Sequence, residues 1–273
     1  MTLQSFDDFA IDLFWYQYTH SIVYSDWINN LFQDGFTIDS IEDIPFMPIS
    51  AFKNNVVMSG VFSAEKIFTS SGTSGSLVSS HYIKDESLYH TNSKLGFESH
   101  YGDVAKYCFL ALLPSYMERE GSSLISMIEY FISLSSYDES GFYLYNHDEL
   151  KEKLRICKAK NMPTILFGVS FALLDFVATH NIDFPNLIIM ETGGMKGRRA
   201  EITRSTLHNQ IQIGFNTQKV HSEYGMTELL SQSYSLGDGI FLPATTVKMS
   251  TKEVTDPLTT TINNTSGILN VID

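Results

Sequence analysis

Cysteine is almost missing from this chain: Cys108 and Cys157 are the only two in 273 residues. That excludes the disulfide framework of a small secreted fold. Positive charge is scarce as well. Against 31 Asp and Glu stand 18 Lys and Arg, a net charge of −13, which repels a phosphate backbone and argues against nucleic-acid binding. A local cradle of backbone N–H groups can still hold one nucleotide in an acidic protein. No apolar run approaches the roughly 18 residues that a membrane helix needs. The N-terminus carries acidic residues where a secretory signal has basic ones. A cytoplasmic protein is therefore the expectation. Repeats and low-complexity tracts are lacking too. What remains is 43% hydrophobic and 13% aromatic, too apolar for a disordered chain and enough for a substantial core.

The apolar residues recur with periods that change along the chain. From Ser5 to Phe32 the set Phe9, Ile11, Phe14, Tyr18, Ile22, Trp27 and Leu31 has helical spacing and predicts one or two amphipathic helices, their aromatic stripe facing a core. Residues 33–47 read as a loop closed by Pro45 and Pro48. Ser80–Ile83 predicts a strand, and Asp85 an N-cap for a helix to about His100. Strands and helices then alternate. Strands are predicted over 107–113, 142–145, 164–169, 187–190 and 219–224, and helices over 122–134, 148–160, 171–180 and 196–210. This alternation predicts an α/β fold with a doubly wound, mostly parallel sheet flanked by helices on both faces. The expected division is a helical N-terminal part, 1–60, and an α/β core, 61–273. The chain ends in an apolar strand, Ile268–Asp273, from which we expect a longer parent protein.

Two stretches carry chemistry. The first is Phe68-Thr69-Ser70-Ser71-Gly72-Thr73-Ser74-Gly75-Ser76. Its glycines free the backbone for positive φ, and such a turn can aim successive N–H groups and hydroxyls at a phosphate. It is not a Walker loop, since the G-x-x-x-x-G-K-[ST] spacing is missing. A flexible Ser/Gly linker is the alternative. The second is His221-Ser222-Glu223-Tyr224-Gly225-Met226-Thr227-Glu228, directly after a predicted strand, where an open α/β sheet places its ligands. A buried Tyr followed by a capping Thr/Glu pair is the alternative there.

Together, S-S-G-T-S-G and Y-G-M-T-E resemble the two signature segments of the adenylate-forming enzymes. Within that superfamily the chain is most similar to the acyl-protein synthetase (LuxE-like) family. Asp43–Ile49, Leu112–Arg119 and Gly267–Asp273 add to the narrower likeness. The resemblance implies the large N-terminal domain of such an enzyme, ATP and Mg²⁺ as cofactors, and activation of a carboxylic, fatty acid as its acyl adenylate. Transfer would follow to a protein or thiol acceptor. Residue by residue, it assigns Ser70, Ser71, Gly72, Thr73, Ser74 and Gly75 to the β- and γ-phosphates. Gly193 and Gly194 would border the adenine, and Tyr224 with Gly225 would carry its stacking face. Thr227 would meet the α-phosphate and Glu228 the magnesium, these two being the candidate catalytic residues. Each role suits its chemistry: a flat ring, a short donor, a hard oxygen ligand.

The chain also departs from the pattern. Ser76 and Leu77 follow the second glycine, where relatives often carry a Lys. No T-G-D-like ribose segment and no small C-terminal domain with a catalytic Lys occur in these residues. Lys196, Arg198 and Arg199 are either anion contacts or a solvated helix start. Pro114–Tyr116 reads as pocket lining, and the apolar helix from Leu124 to Leu134 as core packing. Cys108 and Cys157 read as structural thiols rather than acyl acceptors. A catalytically incomplete homologue that binds nucleotide or a partner is therefore the second hypothesis. A serine hydrolase is excluded by the lack of a G-x-S-x-G elbow.

Overall fold

The structure, a computed structural model, describes residues 5–71, 77–113, 120–193, 200, 202–256, 258 and 266–273. The chain divides into two compact units, one formed by 1–86 with 247–273 and the other by 87–246.

In the first unit, α1 (Phe6–His20) starts at Ser5, whose hydroxyl accepts the Asp8 N–H. Asp7 and Asp8 in the first turn suit the positive end of the helix. Ser21 breaks the helix, and α2 (Ile22–Leu31) follows. The predicted stripe faces a core only in part: Phe14 is buried with Ala10, Tyr24, Ile28, Ile38, Ile41 and Ile44, and Ile11, Tyr18 and Trp27 pack against that cluster, whereas Phe9 and Ile22 are exposed. Tyr24 donates its buried hydroxyl to the Pro45 carbonyl at 2.7 Å, so that polar group is not left unpaired. After the short α3 (Ala51–Asn54), β1 (Lys66–Thr69) pairs antiparallel with β2 (Ser80–Ile83).

The second unit is a three-layer α/β/α sandwich. Its helices are α4 (Glu86–Tyr101), α5 (Ser123–Leu134), α6 (His147–Ala159), α7 (Ser170–Thr179) and α8 (Arg204–Phe215). Between them run β3 (Cys108–Leu112), β4 (Gly141–Phe142), β5 (Thr164–Gly168), β6 (Ile188–Glu191) and β7 (His221–Tyr224), then β8 (Ser233–Ser235) and β9 (Leu242–Pro243). The sheet order is β4-β3-β5-β6-β7-β8-β9. The first five strands are parallel, and β8 and β9 return antiparallel. In order along the chain this is the 2-1-3-4-5 winding of a doubly wound sheet. Strands β3 and β5 are wholly buried, as strands covered on both faces must be.

Side-chain alternation sends neighbouring residues of each strand to opposite layers. Phe109 meets Phe97 of α4 and Phe131 of α5 on one face. Cys108 meets Cys157 of α6 on the other, sulfur to sulfur at 3.7 Å, and both are fully buried. The contact with Cys157, together with burial, holds the Cys108 thiol well above the usual range. Neither thiol is a solvent-facing acyl acceptor. Phe176 of α7 stacks on Phe215 of α8 at 5.7 Å on that same layer.

Two predicted elements differ. The strand expected over 142–145 is only Gly141–Phe142: Tyr143 N–H still bonds the Ala111 carbonyl of β3, and a turn closed by Asn146 N–H on the Tyr143 carbonyl follows at once. The helix expected from Lys196 starts at Arg204, because Thr203 caps it by accepting the Thr206 N–H. Residues 196–199 and 201 lie outside the described residues, while 200, 202 and 203 are not helical.

Gly214, inside α8, shows why these helices lie so close. A Cβ there would come within 2.5 Å of two Val177 side-chain carbons. Alanine favours a helix over glycine by about 1 kcal/mol, whereas overpacking costs about 1–3 kcal/mol. Gly214→Ala is therefore expected to destabilise the protein by up to about 2 kcal/mol, read as a lower urea midpoint at unchanged m value. A higher midpoint would mean that the helices part freely.

In the remainder of the first unit, β10 (Lys248–Lys252) pairs antiparallel with β11 (Ile268–Ile272). Ile272 packs on the cluster built by α1 and α2, and Lys248 bridges to Asp7 at 2.8 Å. Among the described residues no helix is long and apolar enough to cross a membrane.

Candidate functional site

The parallel strands of the second unit all end on one edge, where β3 and β4 finish in Leu112 and Phe142 and β5, β6 and β7 finish in small or polar residues. In sheet order these are Gly168 with Ser170 after β5, Glu191 with Thr192 and Gly193 after β6, and Tyr224 with Gly225 after β7. The pairing Glu191↔Ser222 puts the two motif-bearing turns side by side.

At the first turn, Gly193 has φ +78°, a left-handed conformation that favours glycine. Its N–H donates to Glu191 Oε1 at 2.7 Å, and Ser170 donates its hydroxyl to the same oxygen at 2.5 Å. Gly194 lies outside the described residues, as do Lys196, Arg198 and Arg199.

The second turn leaves β7 as Tyr224, Gly225, Met226, Thr227 and Glu228, with Leu229 N–H closing onto the Met226 carbonyl at 3.2 Å. Tyr224 is half-buried and donates its hydroxyl to Met226 Sδ at 3.0 Å. Burial, then the nearby Glu228 charge, raises its pKa, so the ring stays neutral. The ring meets Phe241 edge-on at 6.0 Å, and Arg204 lies over the far ring of that pair at 5.1 Å. Thr227 and Glu228 are half-buried. At Gly225 a Cβ would lie 2.7 Å from Glu223 Oε1, so any side chain there would displace that carboxyl end.

No protein-family profile matches this chain, and no curated protein does. Solved structures do. Coronafacic acid ligase from Pectobacterium brasiliense superposes with a TM-score of 0.40 at 13% identity, over 61% of this chain and 33% of that one. A point-mutant form of the same ligase gives 0.39 and 14%, over 62% and 32%. The chain therefore spans about a third of the length of these ligases.

The glycine loop belongs to the first unit, where it is the connection between β1 and β2. Ser70 and Ser71 are described. Gly72, Thr73, Ser74 and Gly75 lie outside the described residues. The neck of the hairpin is closed by Ser70 N–H to the Ser79 carbonyl at 3.0 Å, and by Ser79 N–H to Ser70 Oγ at 2.9 Å. Ser70 thus serves the hairpin as well as any ligand. Pro114, Ser115 and Tyr116 lie outside the described residues.

As for metal, Glu228 is the carboxylate of the second turn, and no cluster of three or more metal-ligating side chains forms among the described residues. A lone carboxylate fits Mg²⁺, which keeps several waters and takes its remaining ligands from substrate phosphates.

Sequence reasoning passed over Glu191, Ser170, Glu223, Phe241 and Arg204. The first had a legible signal: a carboxylate straight after the apolar run Leu187–Met190. Phe241 and Arg204 had none, because only the antiparallel return of β8 and β9 and the start of α8 bring them to Tyr224.

Proposed function

We propose that this chain is the nucleotide- and acid-binding part of an ATP-dependent acyl-activating ligase. The observation that carries this reading is the turn Tyr224–Glu228, placed at the carboxyl end of β7 beside the left-handed Gly193 turn of β6. That is the edge at which a doubly wound sheet binds ligands. Here a flat neutral ring, a hydroxyl and a carboxylate follow one another within five residues, matching the Y-G-M-T-E resemblance.

ATP with Mg²⁺ would supply an electrophilic phosphorus and a pyrophosphate leaving group. Tyr224 offers the adenine a ring face, and Gly193 offers the close approach of bare backbone. Thr227 presents a short donor to a phosphate oxygen, and Glu228 holds the cation. The work of these side chains is positioning and charge stabilisation, since the carboxylate substrate is itself the nucleophile. The outer phosphates are assigned to Ser70–Gly75 by the sequence resemblance alone.

At finer grain, the sequence resemblance supports an acyl-protein synthetase acting on a fatty acid, with a protein or thiol as acceptor. The buried Cys108 and Cys157 direct the acceptor role away from this chain's own thiols. One observation favours the second hypothesis, a nucleotide-binding homologue with little turnover: Ser76 and Leu77 stand where the glycine loop would supply a cation.

The deciding experiment is isotope exchange between pyrophosphate and ATP, with and without fatty acids of graded length. Exchange that depends on a carboxylic acid is the expected result. ATP binding by calorimetry without exchange would favour the homologue, and neither would overturn both.

A further inference from the structure

The glycine loop carries no cation after its second glycine, where Ser76 and Leu77 stand. The second unit holds one on the layer of α8. Strand residues alternate between the two layers, so Ser222, paired with Glu191, and Tyr224 two residues on face the same layer. There the Phe241 ring meets Tyr224 at 6.0 Å, and the Arg204 guanidinium lies over the Phe241 ring at 5.1 Å. The guanidinium also runs beside Gly239, where φ is +72° and a Cβ would lie 3.4 Å from Nη1. Arg204 is thus held on two sides, one ring away from Tyr224.

Its charge is otherwise unanswered. Arg204 is exposed, and among the described residues no carboxylate forms an ion pair with it. That is notable in a chain with 31 Asp and Glu against 18 Lys and Arg. Glu191, on the same layer, is engaged by the Ser170 hydroxyl and the Gly193 N–H instead. Arg204 also opens α8, whose first turn holds no acidic residue. A positive side chain at that end opposes the helix dipole. The Phe241 face accepts the charge without taking up the fork of donors that meets a phosphate bidentately.

We propose that Arg204 is a phosphate-binding residue, giving the polyphosphate of the nucleotide the positive charge that the glycine loop lacks. The inference rests on the function proposed above, which lays the adenine on Tyr224. Phe241 is the support that fixes the guanidinium beside that ring. An anion bound at Arg204 also offsets the unfavourable charge at the start of α8. Arginine suits this place better than lysine, because its plane lies on an aromatic ring while its edge binds the anion.

The test is calorimetry on the parent, Arg204→Gln and Arg204→Lys with adenosine, ATP and inorganic pyrophosphate. Position 204 is exposed, so both variants should fold, and a urea midpoint checks it. Arg204→Gln is expected to bind ATP on the order of 10–100-fold more weakly, the weight of one charged hydrogen-bonding partner, and adenosine as the parent does. Arg204→Lys should recover part of the ATP affinity, since the charge stays and the fork is lost. Equal losses for adenosine and ATP would overturn the proposal, making Arg204 only a prop for the Tyr224 ring. Unchanged ATP affinity in Arg204→Gln would overturn it too, and leave the nucleotide reading intact. If ATP binds no more tightly than pyrophosphate and both need Arg204, the anion site stands and the nucleotide reading fails. A parent that binds none of the three overturns both.

Discussion

Glu228→Gln is expected to lower acid-dependent pyrophosphate exchange by about 10²–10³-fold, the usual effect of removing one electrostatic contact from a preorganised site. Glutamine keeps the shape of the side chain and its place in the Tyr224–Glu228 turn. It loses the charge that a magnesium ion with one protein carboxylate depends on. Folding should survive, because a half-buried turn position carries little of the core, and such substitutions stay within about 0.5 kcal/mol. The measurement pairs exchange kinetics across a Mg²⁺ series with a urea midpoint. An unchanged rate at every Mg²⁺ concentration would make Glu228 a structural turn residue. A rate restored by raised Mg²⁺ would locate the defect in metal binding.

The second large effect concerns stability. Burial, then the Glu191 charge, pushes Glu223 up to about 8, from an ordinary carboxylate value of 4.5. A carboxyl with a raised folded pKa contributes stability that is fully present below its unfolded pKa and is lost as pH rises through the folded value. The parent should therefore lose stability steadily between about pH 4.5 and pH 8 from this group. At 1.36 kcal/mol per unit the ceiling is about 4–5 kcal/mol. Glu223→Gln carries no such proton, so its stability relative to the parent should climb over that window and be greatest near pH 9. Urea unfolding of both proteins at pH 5, 7 and 9 reads the difference directly. Parallel pH profiles would show that Glu223 ionises at an ordinary pKa.

Much of the second unit could be read along the chain, because its elements are local. Seven apolar residues from Tyr107 to Leu113 bounded by polar ones can hardly be other than a buried strand, and Cys108–Leu112 is one. The helix expected over 122–134 is Ser123–Leu134, with Ser122 as its N-cap. The boundaries that moved did so for local reasons too small to dominate a pattern. Thr203 captures the Thr206 N–H and starts α8 late, and the turn closed by Asn146 N–H on the Tyr143 carbonyl shortens β4.

The sequence by itself determined the residue types of the site: a ring, a hydroxyl and a carboxylate spaced along one turn, and glycines where backbone must come close. These are properties of consecutive residues, and period and φ freedom are set within a few bonds of each one. Only the tertiary structure decided which strand ends are neighbours. The order β4-β3-β5-β6-β7 sets Glu191 beside Ser222, and so brings the turns after β6 and β7 together. It also returned Ile272 and Lys248 to helices formed by the first residues of the chain. Such pairings join residues separated by long loops, whose closure entropy is met by buried area summed over a whole core. No single stretch carries that sum, so no single stretch announces it.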